Sequence, residues 1–213
     1  MKKHLLALGL SLFAFQSFAA EVPAAPALEA SAYLFFDAQS GQILTSKNPD
    51  ARIEPASLTK LMTAYLTFDA LKNGRLKLDQ QLTASERAWK SEGSRMFLDP
   101  KVPVSVDNLI KGMIVQSGND ACVTLAEAIA GSEEGFAQMM NAQAKKLGMN
   151  NSHFANSTGL PDPQLYTTVR DLATLSNALI RDFPQYYPTY SIKSFTYNNI
   201  TQPNRNLLLY RDS

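Results

Sequence analysis

The chain has 213 residues, 45% of them hydrophobic and 18% charged, with a formal net charge of +1. This is an ordinary globular balance with enough apolar material for one domain and its core. It offers no basic excess of the kind a nucleic acid would need. The segment 1–19 reads as a secretory signal. Lys2 and Lys3 form a positive start, Leu5 to Phe15 an apolar run too short to span a bilayer comfortably, and Ser17-Phe18-Ala19 a small-residue cleavage pattern. Without Lys2 and Lys3 the balance becomes one net negative charge, and no other long apolar segment or basic amphipathic helix follows. The mature chain is therefore expected to be soluble on the far side of a membrane.

Residues 20–30 are rich in Ala and Pro and read as an extended lead-in, so residues 31–213 hold the domain. Ala32 to Phe36 and Gln42 to Thr45 flank the turn cluster Asp37 to Gly41 and predict a β-hairpin. Leu58, Leu61, Met62, Tyr65, Leu66 and Phe68 recur at helical spacing, and Asn73-Gly74 ends that helix. Residues 75–104, broken by Gly93, Pro100 and Pro103, read as irregular. Ser105 caps a helix carrying Leu109, Ile110, Met113 and Ile114, which Ser117-Gly118-Asn119 interrupts. Asp120 opens another helix that runs to Gly131, and Ser132 to Leu147 forms the next, with Gly148 as its C′ residue. Thr168-Val169-Arg170-Asp171 starts a fourth in the manner of a capping box, with Leu172, Leu175 and Leu179 on one face. Residues 192–210 return to an extended pattern. Hairpin, helices and strand in that order predict an α+β domain with helices packed on an antiparallel sheet.

Residue counts narrow the chemistry. Cys122 is the single cysteine, so no intrachain disulfide forms, and it lies in an apolar helical pattern that suits packing rather than nucleophilic chemistry. Beyond the signal, His153 is the one histidine. There is no G-x-S-x-G, no H-E-x-x-H and no Cys/His cluster, so a zinc site could hardly be assembled. A hydrolase built from this chain is expected to use a base other than histidine.

Ser57-Leu58-Thr59-Lys60 supplies such a base. Residues three apart on a helix share a face, so Lys60 can reach the Ser57 hydroxyl. Pro55 suits a helix start and puts Ser57 in the first turn, where backbone N–H groups favour developing negative charge. Lys60 can take a proton only when neutral. Neutrality near pH 7 requires bringing its pKa down from about 10.4, at a cost of roughly 4 kcal/mol that burial and a neighbouring cation can supply. Alone the motif carries little, since about one S-x-x-K arises by chance in a chain this long. Ser117-Gly118-Asn119 adds a second hydroxyl, able to pass a proton to a leaving amine, and an amide able to hold a substrate. Ser46-Lys47-Asn48 matches the same pattern but precedes Ser57 at a strand end.

The two motifs and the strings around them, Pro55 to Thr63, Gln116 to Cys122 and Asn204 to Leu208, resemble the low-molecular-weight penicillin-binding proteins, the serine D-Ala-D-Ala carboxypeptidases, from about Ala30 onward. That resemblance implies the β-lactamase/transpeptidase-like α+β fold. It also implies Ser57 as acylated nucleophile, Lys60 as its proton acceptor, Ser117 as a further catalytic group and Asn119 as substrate-binding. No cofactor and no metal is implied. The implied substrate is the D-Ala-D-Ala end of a peptidoglycan stem peptide, with β-lactams as covalent inhibitors of the same serine and the periplasm as the place of action. The family's K-T-G motif does not occur in these residues, nor do its later domain and membrane-anchoring amphipathic helix. Residues 31–213 are therefore read as an incomplete domain lacking the C-terminal strands of the sheet. An inactive fragment of the enzyme is the alternative. A class A β-lactamase is a weaker one, because Gly118 stands where that class has Asp and no E-x-x-L-N segment follows.

Overall fold

The computed structural model describes residues 28–211. The signal read at 1–19 and most of the lead-in at 20–30 lie outside the described residues. Strands β1 (Tyr33–Phe36) and β2 (Ile43–Lys47) form the expected antiparallel hairpin, from Tyr33 opposite Lys47 to Phe36 opposite Ile43. Asp37 organises its turn by accepting from the Gln39 and Ser40 backbone N–H groups and from the Ser40 hydroxyl.

A 3₁₀ turn at Ala56–Thr59 leads into α1 (Lys60–Lys72). This helix buries Met62, Ala64, Leu66, Phe68 and Ala70 around most of its circumference, as a central helix must. Around it pack α3 (Val106–Gln116), α4 (Asn119–Ala130), α5 (Glu133–Leu147) and α6 (Val169–Asp182). Three of these four helices, α3, α5 and α6, start on a side-chain cap, whereas α4 starts at Gly118 without one. Ser105 accepts from Asn108 N at 3.2 Å, Ser132 from Gly135 N at 3.0 Å and Thr168 from Asp171 N at 3.1 Å. Each such cap satisfies an otherwise orphan N–H and is worth about 1 kcal/mol. Phe183, just past α6, meets Tyr65 and Phe68 edge-on and closes the far side of the core.

Two regions depart from the sequence reading. Within 75–104 the chain forms β3 (Gln81–Leu82), the short helix α2 (Glu86–Trp89) capped by Ser85, and β4 (Val104–Ser105), which pairs with β3. Residues 192–210 are not one extended run. They form a hairpin of β5 (Ser194–Tyr197) and β6 (Ile200–Pro203), then a 3₁₀ turn at Leu207–Tyr210. All ladders are antiparallel, as expected, but among the described residues they stand as three separate two-stranded pieces rather than one sheet. No helix among the described residues is long and apolar enough to cross a membrane.

Candidate active site

Ser57 sits in the 3₁₀ turn rather than in the first α-turn. Ala56 takes a left-handed φ of 46° and Leu58 N donates to Pro55 O at 3.0 Å. Three-residue spacing is kept and even sharpened, because positions i and i+3 eclipse in a 3₁₀ turn. Lys60 Nζ lies 3.3 Å from Ser57 Oγ. The serine is exposed while Lys60 is buried.

Burial pushes the Lys60 amine below its ordinary value of 10.5, and the positive charge of Arg205 pushes it the same way. Cys122 also faces this amine, but burial lifts its thiol to about 12. The thiol is thus neutral near pH 7 and gives Lys60 no counter-charge. The sequence reading of Cys122 as a packing residue agrees with its complete burial in α4. Lys60 Nζ has one further partner, the Thr158 carbonyl at 2.6 Å.

Ser117 ends α3 in the left-handed conformation, φ 63° and ψ 36°, a conformation that costs a non-glycine residue roughly 1 kcal/mol or more. Its Oγ is buried and has no hydrogen-bond partner among the described residues. Ser57, Lys60, Ser117 and Tyr190 line one pocket of 110 Å³, with Leu58, Leu61, Met113 and Ile114 as its apolar wall. Larger cavities of 530 Å³ and 490 Å³ lie elsewhere and contain none of the four predicted side chains. Chemistry rather than size selects the smaller one.

Asn119 opens α4 next to this pocket but is not among its lining residues. Its Nδ2 donates to Glu92 O at 2.6 Å, while its Oδ1 is buried without a partner among the described residues. Gly118 allows the close passage here, since a Cβ would come within 3.0 Å of Asp120 Oδ1 and 3.2 Å of Gly112 O. His153 is away from the pocket, with Nδ1 2.8 Å from Gln164 O.

Residues the sequence did not flag complete the site. Thr158 contributes a backbone carbonyl, which no side-chain pattern reports. Gly159, next to it, has φ +84° and lies directly beneath the Ala56 carbonyl. Tyr190 arrives from the 3₁₀ turn Tyr187–Ser191. Asp120, which the sequence reading used only as a helix start, is buried and clasps the preceding loop. Its Oδ1 accepts from Met96 N and its Oδ2 from Leu98 N, each at 3.0 Å. Asp120→Asn keeps one acceptor and faces the other N–H with a donor, so it is expected to destabilise the protein by about 1–3 kcal/mol. Denaturant melts of the two proteins check this, and coincident midpoints would refute the clasp.

The D-alanyl-D-alanine carboxypeptidase family profile matches residues 19–213. The D-alanyl-D-alanine carboxypeptidase DacC of Escherichia coli K12 is 46% identical over 208 residues, which are 94% of this chain and 52% of that protein. DacD of the same organism is 43% identical over 223 residues, 99% of this chain and 57% of that protein. The chain thus spans about half the length of the curated relatives it matches. Among solved structures, penicillin-binding protein 5 of Haemophilus influenzae superposes with a TM-score of 0.86 at 45% identity, covering 89% of this chain and 56% of that one. Penicillin-binding protein D2 of Listeria monocytogenes in its ampicillin-bound form gives 0.77 at 32% identity, covering 86% and 76%. A profile matched along almost the whole chain, joined to a fold shared with penicillin-binding proteins, is decisive: the chain belongs to the D-alanyl-D-alanine carboxypeptidase family.

Proposed function

We propose that the protein containing these residues is a serine D-Ala-D-Ala carboxypeptidase that trims the terminal D-alanine from peptidoglycan stem peptides. The observation that carries this is the contact of a buried, pKa-lowered Lys60 amine with the Ser57 hydroxyl at 3.3 Å. Ser57 Oγ attacks the carbonyl of the penultimate D-alanine, and Lys60 takes its proton. Ser117, whose hydroxyl has no partner among the described residues, relays that proton from Lys60 to the departing D-alanine amine. The resulting ester on Ser57 is then hydrolysed by water. Asn119, two residues on from the pocket-lining Ser117, is assigned to the substrate through its Oδ1, which has no partner among the described residues.

A β-lactam presents a strained amide to the same serine, and the ampicillin-bound relative supports this reading. The segment 1–19 serves as export signal, 20–30 as lead-in and 31–213 as part of the catalytic domain, with action on the periplasmic side of the membrane. Mass spectrometry of peptides from the penicillin-treated whole protein tests the proposal. The adduct is expected on the peptide carrying Ser57. An adduct on Ser117 overturns the role assignment, and fast penicillin turnover with no lasting adduct favours a β-lactamase.

A further inference from the structure

Lys60 is held from two directions, by Ser57 Oγ at 3.3 Å and by the Thr158 carbonyl at 2.6 Å. A neutral amine has two N–H groups and one lone pair. With one N–H committed to Thr158 O, rotation about the last side-chain bond is restricted and the lone pair can be presented to Ser57. The aim of the Thr158 carbonyl therefore matters to the base. Residues 156–159 belong to no helix or strand, so something else must fix that carbonyl.

Two kinds of hydrogen bond do so. Asn156 Oδ1 shapes the turn locally, accepting from Thr158 N at 3.2 Å and from Gly159 N at 2.7 Å. Two longer-range anchors tie the turn to the fold. Thr63 Oγ1, on α1, donates to Ser157 O at 2.6 Å. Glu133 Oε1, at the start of α5, accepts from Ser157 N at 3.1 Å and from Ser157 Oγ at 2.6 Å. Ser157 is completely buried and Glu133 only 6% exposed. The other Glu133 oxygen meets Arg87 Nη2 at 2.8 Å. Capping of α5 does not explain this carboxylate, because Ser132 already fills that role.

We propose that Glu133 is a positioning residue for Lys60, gripping both polar groups of Ser157 so that the adjoining Thr158 carbonyl stays aimed at Nζ. This rests on the reading that Lys60 takes the Ser57 proton. What Ser157 requires from Glu133 is an acceptor oxygen rather than a charge, which makes glutamine the informative replacement. Its Oε1 can accept the same two bonds, while its Nε2 meets Arg87 donor to donor, a conflict that half-exposed Arg87 relieves by turning to Glu134, which it already pairs.

The experiment compares Glu133→Ala, Glu133→Gln and Ser157→Ala with the wild type in the whole protein. It reads the acylation rate at saturating penicillin, the half-saturating concentration, the pH profile and the melting temperature. Glu133→Ala is expected to lower the saturating rate about tenfold or more, since small misplacements of a reacting group are costly, with half-saturation little changed. Glu133→Gln should recover most of that loss, and Ser157→Ala should fall between. The ascending limb of the pH profile should move to lower pH in Glu133→Ala, because a carbonyl accepting from the amine favours its charged form. A wild-type rate in Glu133→Ala, equal losses in the alanine and glutamine variants, or a limb moving to higher pH would each overturn the assignment. Titration of the Lys60 amine by lysine-selective isotope labelling and NMR separates this from the functional reading. Should the wild type fail to label, the carboxypeptidase reading falls. The positioning role then stands on whether Glu133→Ala lowers the Lys60 titration and Glu133→Gln restores it, and an unmoved titration refutes it.

Discussion

Lys60→Arg is expected to lower the rate of Ser57 acylation by about 10²–10⁴-fold, the ordinary range for loss of a general base. Arginine keeps the positive charge and much of the length of lysine, but it stays protonated in a protein and cannot accept the serine proton. In the wild type the rate should rise with pH as the amine loses its proton, with a midpoint below the ordinary 10.5 because burial and then Arg205 disfavour the charged form. The arginine variant should show no such limb. Stability carries a matching signature of definite sign. A lysine with a depressed folded-state pKa gives up its proton in the native state first, so stability rises with pH between the lowered value and 10.5. Lys60→Met removes the titrating group and should flatten this rise while also abolishing labelling. Quench-flow labelling with a fluorescent penicillin across pH, paired with melts, measures both effects. Near wild-type acylation by Lys60→Arg would remove Lys60 from the role of base.

The second large effect is expected from Gly159→Ala. Gly159 adopts φ +84°, and a Cβ there would collide with the backbone carbonyl of Ala56 and lie 2.9 Å from Thr59 Oγ1. The left-handed conformation alone costs an alanine about 1–3 kcal/mol. The collision adds to this, and it cannot be relieved by rotating a flexible side chain, since its partner is main chain. Either the 56–59 turn moves and takes Ser57 with it, or the 156–159 turn moves and takes the Thr158 carbonyl. Both routes separate Ser57 from a correctly held Lys60, so acylation should fall about 100-fold, well beyond what the lost stability explains at a temperature where the variant remains folded. A rate and a melt both equal to the wild type would show that the two turns are not wedged together.

Much of this arrangement is legible in the sequence wherever the signal is local. Ser105, Ser132 and Thr168 announce helix starts because a hydroxyl there satisfies an orphan N–H. Gly148 announces a helix end because it must take φ 81°. Ser57 and Lys60 are readable as neighbours since their spacing brings them together in either an α or a 3₁₀ turn. Short elements escape. The four residues of α2 cannot display a helical period. The Asn198-Asn199 pair, both with positive φ, turns the extended segment into a tight hairpin, and its two asparagines are obscured by the run of polar residues around them. Long-range pairing escapes as well: the α+β class with antiparallel strands is legible, but not the division of the described residues' ladders into three pieces. The Thr158 carbonyl is the extreme case, a backbone group 98 positions from the lysine it serves.

That separation also bears on when reactivity arises during folding. Local helices can form early, whereas a contact spanning so much chain must await closure of a long loop. A partly folded chain, with α1 present but residues 156–159 not yet docked, would leave Lys60 hydrated and protonated beside an ordinary alcohol. On the proposed reading, nucleophilic power at Ser57 is therefore a property of the finished fold, switched on by the last long-range contacts rather than by formation of the helix that carries the motif.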